Sequence, residues 1–174
     1  MSKIEIRIAD LSDAIAISLL GRETFSETFA HLFHDRSDLQ EYLLKTFSAN
    51  KIESSLSKAE NAFWIAFYDQ QPAGYAKLKL NSPSEFVTGN KVCQLQKIYV
   101  LKEFHALKIG FKLQDLVLQK AINQKTEAIW LSVLDSNARA ISFYIKNDFK
   151  ITGQHDFRIG KEHFEFKVMS RQLL

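Results

Sequence analysis

The hydrophobic pattern of this chain changes period several times, and the order of those changes restricts the fold more than any other feature. Residues 4–8 alternate between isoleucine and polar side chains, which is typical of a half-buried strand. Helical spacing then continues to about residue 58. Within that segment Asp10 favours the start of a first helix, Gly21 is expected to end or bend it, and residues 37–40 (SDLQ) predict a capping box for another helix.

The second part of the chain returns to strand periodicity. Spacing and turn residues predict, in order, strands over 62–68, 74–80 and 91–100, a helix from Ile109, a strand over 128–134, a helix capped by Ser136, and strands over 149–157 and 163–169. This order indicates an α/β fold of mixed (α+β) character on a mixed sheet. No repeat or linker interrupts the pattern, so we expect a single domain over residues 1–174.

Charge and cysteine content exclude several classes of protein. The 23 basic and 20 acidic residues are scattered, so the chain has no basic arm of the kind that binds nucleic acid. Cys93 is the single cysteine, and we see neither a secretion signal nor an apolar run long enough for a membrane helix. We therefore expect a cytoplasmic protein without nucleic-acid or membrane partners. His31 and His34 lack further ligands at metal spacing, so no metal site is predicted.

Residues 96–113 (QKIYVLKEFHALKIGFKL) carry the first candidate for chemistry. A strand ends in an apolar and aromatic triplet, a short polar loop follows, and a helix begins near Gly110. Unpaired backbone N–H groups at such a helix start, together with the helix dipole, can hold phosphate oxygens. One glycine at a strand-to-helix turn is also common in ordinary turns, so this segment alone does not decide between the two interpretations.

The second candidate is the run N-x-x-A-x-x-F-Y from Asn137 to Tyr144. The two residues stand seven positions apart, about two helical turns, so an amide and a phenol face the same side. A helical Phe-Tyr pair is more often core packing than part of a site. The occurrence of both segments in this order, with a buried strand between them, favours a ligand site.

These two segments resemble the GNAT superfamily of N-acetyltransferases, and the resemblance extends over essentially the whole chain. It implies a central, twisted, mostly antiparallel mixed sheet with helices on both faces and with the fourth and fifth strands splayed apart. The family's phosphate loop reads Gln/Arg-x-x-Gly-x-Gly/Ala. The matching positions here are His105, Lys108 and Gly110, of which only Gly110 agrees. Lys108 replaces a glycine whose backbone can require a left-handed conformation.

The resemblance implies acetyl-coenzyme A as the cosubstrate and an amine as the acceptor. It assigns two catalytic groups: a backbone N–H near Ile98, which polarises the thioester carbonyl, and the Tyr144 phenol, which protonates the leaving sulfur. The implied cofactor-binding residues are Ile98, Tyr99, Val100, His105, Ala106, Leu107, Lys108, Ile109, Gly110, Asn137 and Tyr144. No general base is assigned, although Glu23, Glu27 and Asp35 lie in a suitable region of the chain.

The segment from Thr24 to Phe33 (TFSETFAHLF) also resembles polyamine acetyltransferases of the PaiA type. That resemblance implies spermidine or spermine as the acceptor. The implied substrate-binding residues are Phe25, Glu27, Phe29 and His31. The same phenylalanine spacing also suits a core. Transfer to a protein or peptide, and a non-catalytic coenzyme A sensor, stay open as alternatives, and the family resemblance makes a homodimer a further expectation.

Overall fold

A computed structural model describes residues 2–174, and its centre is a seven-stranded sheet. The strands are β1 (Ile4–Ile8), β2 (Asn61–Tyr68), β3 (Gln71–Lys79), β4 (Val92–Val100), β5 (Ala128–Leu134), β6 (Lys150–Ile159) and β7 (Glu162–Gln172). Their order across the sheet is β1-β2-β3-β4-β5-β7-β6. Only β4 and β5 pair in parallel. The predicted mixed, mostly antiparallel sheet is confirmed.

Helices cover both faces of this sheet, as expected. They are α1 (Ala14–Phe29), α2 (Arg36–Thr46), α3 (Ala49–Leu56), α4 (Ile109–Asn123) and α5 (Ala138–Lys146). One large apolar cluster joins α4 and α5 to one face, and two smaller clusters join α1, α2 and α3 to the other. Of the helices in the described part of the chain, none combines the length and apolar character needed to span a bilayer.

The expectation that Gly21 ends or bends the first helix is wrong. Asp10 and Asp13 form a capping box for a short 3-10 turn, and α1 then continues through Gly21 to Phe29. Gly21 is buried, and the space beside it is filled by the ring of Phe47, which follows α2. The glycine therefore permits close packing between two elements rather than a break in the helix.

Two other helices begin one or two positions away from the predicted caps. The N-cap of α2 is Asp35, whose carboxylate accepts the Ser37 amide at 2.9 Å, so the predicted capping box from Ser37 is wrong. The N-cap of α5 is Asn137 rather than Ser136, because the Asn137 side chain accepts the Ala140 amide at 3.2 Å. Because Asp, Asn and Ser cap helices about equally well, local sequence does not decide between adjacent candidates.

Strands β4 and β5 pair over only three residues each, Val92–Gln94 with Ala128–Trp130. Beyond that point they separate, which confirms the predicted splay. A β-bulge marks the position: Lys97 lies opposite Lys77, and Leu95 opposite Leu78, so that Gln96 has no partner on β3. A bulge bends its strand and increases the local twist, which directs the end of β4 away from β5.

Candidate active site

The gap between β4 and β5 leaves part of the β4 backbone without a neighbouring strand. The amide of Leu101 donates to the carbonyl oxygen of Ala73 at 2.9 Å, and the register with β3 is regular along this end of β4. Alternate residues of an antiparallel strand bond to the neighbour or point away from it. The amides of Ile98 and Val100 therefore point into the gap, whereas the Tyr99 amide faces β3. Tyr99 thus does not offer the backbone contact expected of it.

A cavity of about 550 Å³ fills this gap. Its walls are the separated ends of β4 and β5, together with parts of α1, α4 and α5 and the loop between β4 and α4. Open strand edges accept extended ligands by adding a strand, so the gap suits a narrow, amide-containing chain.

The start of α4 lies at one end of this cavity and has no side-chain cap. Its N-cap residue is Lys108, in a left-handed conformation with φ 58°. The first intrahelical bond begins only at Lys112, whose amide donates to the Lys108 carbonyl oxygen at 3.2 Å. The preceding amides of the first turn are therefore available, with the positive end of the helix dipole, to hold an anion such as a phosphate.

Gly110 lies in this first turn and lines the cavity. A Cβ atom built there would meet only Val100 Cγ2, at 3.9 Å, which is ordinary contact. The fold itself therefore does not require glycine at this position. The missing side chain instead keeps free space beside the open amides, as expected where a ligand approaches the backbone closely.

His105 connects the phosphate loop to α5. Its Nε2–H donates to the Val100 carbonyl oxygen at 2.9 Å, and because that oxygen only accepts, Nδ1 is left to accept a hydrogen bond from the Arg139 guanidinium. Arg139 lines the cavity and is exposed, as are Lys102 and Lys108. Three cations thus surround a cavity that already offers unpaired amides, which fits a ligand with several phosphates.

Tyr144 lies in the wall of the same cavity. Asn137, at the start of α5, lines the cavity as well. The phenol is almost fully buried, and this burial raises the pKa of Tyr144 well above its usual value. The shift depends on tertiary packing around the phenol, which no local pattern in the chain indicates. A phenol with a raised pKa stays protonated at neutral pH and can donate a proton to a departing group.

A second cavity, of about 460 Å³, lies on the opposite face of the sheet under α1, α2 and α3. Six residues line both cavities: Phe29, Gln96, Lys97, Tyr99, Ser132 and Phe166. The two cavities are therefore adjacent at the splay of β4 and β5, where the shared residues lie between them.

A sequence model described as the "Acetyltransferase (GNAT) family" matches residues 22–149. The chain belongs to the GNAT family. It is similar to an uncharacterised N-acetyltransferase from Lactobacillus delbrueckii subsp. lactis, at 26% identity over 91% of this chain and 90% of the relative. It is also similar to one from Mycobacterium bovis, at 31% identity over 73% of this chain and 77% of the relative.

Solved GNAT structures share the fold. The PaiA N-acetyltransferase from Thermoplasma acidophilum, solved in complex with coenzyme A, superposes with a TM-score of 0.77 at 22% identity, covering 98% of this chain and 99% of that one. The ribosomal-protein-S18-alanine N-acetyltransferase from Escherichia coli gives 0.71 at 14% identity, with 98% and 94% covered. The chain is thus a GNAT enzyme, an acyltransferase that uses acetyl-coenzyme A as its cosubstrate.

The structure brings most of the GNAT cofactor residues predicted from the sequence to the first cavity. Ile98, Tyr99, Val100, His105, Lys108, Gly110, Asn137 and Tyr144 line it. Ala106, Leu107 and Ile109 do not: Ala106 is exposed, while Leu107 and Ile109 pack into the core. Successive side chains of a 3-10 turn point in three directions around its axis, because the turn has three residues. Only part of a contiguous loop can therefore face one ligand.

The residues predicted to bind the acceptor are distributed differently. Phe25 lines the second cavity, Phe29 lines both, and Glu27 lines the first. Glu27 Oε2 accepts the Lys102 amide at 2.9 Å. His31 lines neither cavity, because the chain leaves α1 at Phe29 and places His31 in an exposed 3-10 turn. The contact predicted for His31 is therefore wrong.

Two of the three candidate bases also lie elsewhere. Glu23 is exposed and lines neither cavity, and Asp35 caps α2 and pairs with Lys161 at 3.1 Å. Residues 2–174 contain no group of three or more His, Cys, Asp or Glu side chains that could share a metal ion.

Among the cavity-lining residues that sequence reasoning missed are Lys77, Lys97, Ser132 and Arg139. Lys77 and Lys97 stand inside strands that pack in the core, and a charged residue on the covered face of a strand is the signal that could have found them. Ser132 Oγ lies 2.8 Å from His155 Nε2 of β6, a contact between distant segments that no local pattern indicates.

Proposed function

We propose that this enzyme acetylates the primary amine of a small molecule that enters through the cavity under α1, α2 and α3. The adjacency of the two cavities at the splay of β4 and β5 carries this proposal. Acetyl-coenzyme A supplies an activated acetyl group as a thioester. The remaining requirements are to orient that group, donate hydrogen bonds to its carbonyl oxygen, protonate the departing sulfur and accept a proton from the amine.

The residues of the first cavity fit the cosubstrate. The open amides at the start of α4, with Lys108 and Arg139 nearby, suit its phosphates. The Val100 amide suits a carbonyl oxygen of its pantetheine arm. The free space beside Gly110 supports the same assignment, since no contact within the protein accounts for it.

Two groups are proposed to act on the reacting atoms. The Ile98 amide points into the gap and donates to the thioester carbonyl oxygen. Tyr144, whose phenol is protonated at neutral pH, donates to the departing sulfur. Glu27 is the one carboxylate that lines either cavity within residues 2–174, and we propose no base beyond it.

A small acceptor is favoured over a protein because the second cavity is a compact space lined largely by aromatic rings. Its volume, about 460 Å³, suits a small ligand rather than a protein surface. Spermidine and spermine stay candidates from the PaiA resemblance, with Glu27 as the carboxylate that would attract them. The single-domain boundaries, a homodimer and a cytoplasmic location are further predictions from the sequence.

The test measures cosubstrate binding and turnover separately. Titration calorimetry with acetyl-coenzyme A should show saturable binding, and release of the free thiol should follow addition of a suitable amine from a panel of small amines and peptides. Turnover with peptides alone would favour a protein acceptor. Tight binding without turnover across the panel would favour a sensor, and no binding of coenzyme A in any form would overturn the proposal.

A further inference from the structure

Two lysines lie together in the wall of the second cavity. Lys77 of β3 is directly opposite Lys97 of β4 in the antiparallel register, so their Cβ atoms are about 5 Å apart. Both side chains are half-buried and line the cavity, and Lys51 of α3 lies at its edge. Like charges placed directly opposite each other on one face of a sheet repel.

No carboxylate of the protein compensates for these charges. Among the ion pairs within residues 2–174, none involves Lys77 or Lys97. The polar residues that line the cavity beside Lys77 and Lys97 carry hydroxyl, amide, imidazole or ammonium groups, and none is acidic: Tyr42, Thr46, Lys51, Ser55, Tyr75, Gln94, Gln96, Tyr99, Ser132 and His155. Glu27, in the other cavity, already accepts the Lys102 amide.

The two ammonium groups are instead held against aromatic rings. Lys97 Nζ lies 5.3 Å from the ring centre of Phe47 and 5.5 Å from that of Tyr99, and Lys77 Nζ lies 5.6 Å from that of Phe63. Such contacts recover part of the lost hydration but neutralise no charge. Burial lowers the pKa of both lysines, that of Lys77 to about 8, and the neighbouring Lys97 contributes to the shift at Lys77.

We infer that the acceptor amine carries an anionic group, a carboxylate or a phosphate, that binds between Lys77 and Lys97. The inference rests on the proposed function and names the class of substrate. An anion at this position supplies the missing counter-charge for both lysines and can accept hydrogen bonds from both.

The positions of the lysines also orient the acceptor. Lys97 lines both cavities, whereas Lys77 lines only the second, so the anionic group lies on the side away from Tyr144. The amine then extends toward the splay, and an apolar body packs among the rings of Phe25, Phe47 and Phe63. A polyamine would place positive charge against these lysines.

Matched pairs of amines test this assignment. Phenylalanine is compared with phenethylamine, which lacks only the carboxylate, and phosphoethanolamine with ethanolamine, with spermidine as a third arm. Rates are normalised to the concentration of neutral amine. We expect the anionic member of at least one pair to have kcat/KM at least about tenfold higher, and the pair that responds distinguishes carboxylate from phosphate. A preference for spermidine or for both uncharged amines would overturn the inference while leaving acetyl transfer intact.

Variants and a binding probe make the test independent of turnover. Hydrocinnamate should bind to the wild-type enzyme at least about tenfold more tightly than hydrocinnamyl alcohol, and Lys77→Gln and Lys97→Gln should each abolish that difference. The control is Lys79→Gln, on the same strand but outside both cavities. Acetyl-coenzyme A affinity should be unchanged in Lys77→Gln and Lys79→Gln, because neither residue lines the first cavity. Equal binding of the two probes to the wild-type enzyme, or an unchanged preference in both cavity variants, would contradict the inference.

Discussion

The ring of Phe47 occupies the space that a side chain on Gly21 would need. Phe47 is almost completely buried and also packs on Phe25 and Tyr42, so it has little room to move. The contact fixes α1 close to the residues that follow α2. Because α1 contributes walls to both cavities, this packing also positions the site.

Gly21→Ala should therefore destabilise the enzyme, although alanine is the better helix former by about 1 kcal/mol. Overpacking of this kind costs roughly 1–3 kcal/mol, so after the gain in helix propensity the free energy of unfolding should fall by roughly 0–2 kcal/mol, with about 1 kcal/mol as the central value. Urea denaturation measures it. Introducing Gly21→Ala into a Phe47→Leu background should be less damaging, because the smaller side chain leaves space. A stabilised Gly21→Ala single variant would refute this account of the contact.

Gly110→Ala, in contrast, should weaken coenzyme A binding without lowering the stability of the enzyme. The new methyl group meets no protein atom closer than Val100 Cγ2, at 3.9 Å, so the free energy of unfolding should stay within about 0.5 kcal/mol of the wild-type value. Because Gly110 is in α4, the better helix propensity of alanine can only add to stability, so the stated limit applies to a loss. The methyl group does enter the space beside the open amides of α4. We expect coenzyme A affinity to fall by about tenfold, equivalent to about 1.4 kcal/mol, in titration calorimetry. Unchanged affinity would mean that the cosubstrate does not approach this turn.

Arg139→Gln tests the cationic part of the same cavity. Arg139 donates to His105 and lines the cavity, so its loss should weaken coenzyme A binding by about tenfold and reduce the dependence of binding on salt. Lys146→Gln is the matched control, since Lys146 is an exposed cation at the far end of α5 and lines neither cavity. An equal effect in both variants would point to general electrostatics rather than to a contact of Arg139.

Tyr144→Phe should lower kcat by roughly 10- to 1000-fold, the range typical of losing a general acid. Coenzyme A affinity and the circular dichroism spectrum should change little, because phenylalanine keeps the packing against Phe143 and Phe149. Tyr99→Phe is the control, since Tyr99 is half-buried and lines the same cavity but packs on the opposite face of the sheet. If turnover of Tyr144→Phe equalled that of the wild type, the phenol would have no role in proton transfer.

The sequence predicted the parts of this structure that depend on short-range patterns. The strand and helix order, the splay, and the positions of Gly110 and Tyr144 follow from periodicity and from a resemblance over nearly the whole chain. The course of α1 through Gly21 could not be predicted, because it depends on Phe47, 26 positions further along the chain. Lys77 and Lys97 lie opposite each other because of the register of β3 and β4 and a bulge in their pairing. A single sequence specifies neither.

The pH dependence of stability should reveal the charge at Lys77. Its pKa is lowered from 10.5 to about 8 in the folded enzyme, chiefly by burial. Below pH 8 both folded and unfolded chains hold this proton, and the folded state bears the full cost of the buried charge. Between about pH 8 and 10.5 the unfolded chain binds more protons at this residue than the folded one, so the cost declines as pH rises.

Lys77→Met should therefore stabilise the enzyme most at pH 7, with the advantage shrinking by pH 10, as measured by urea denaturation of both proteins at each pH. Lys146→Met, at an exposed position that lines neither cavity, controls for the loss of one lysine. A Lys77→Met advantage that is absent at pH 7, or that grows toward pH 10, would show that Lys77 carries no unfavourable charge in the folded enzyme.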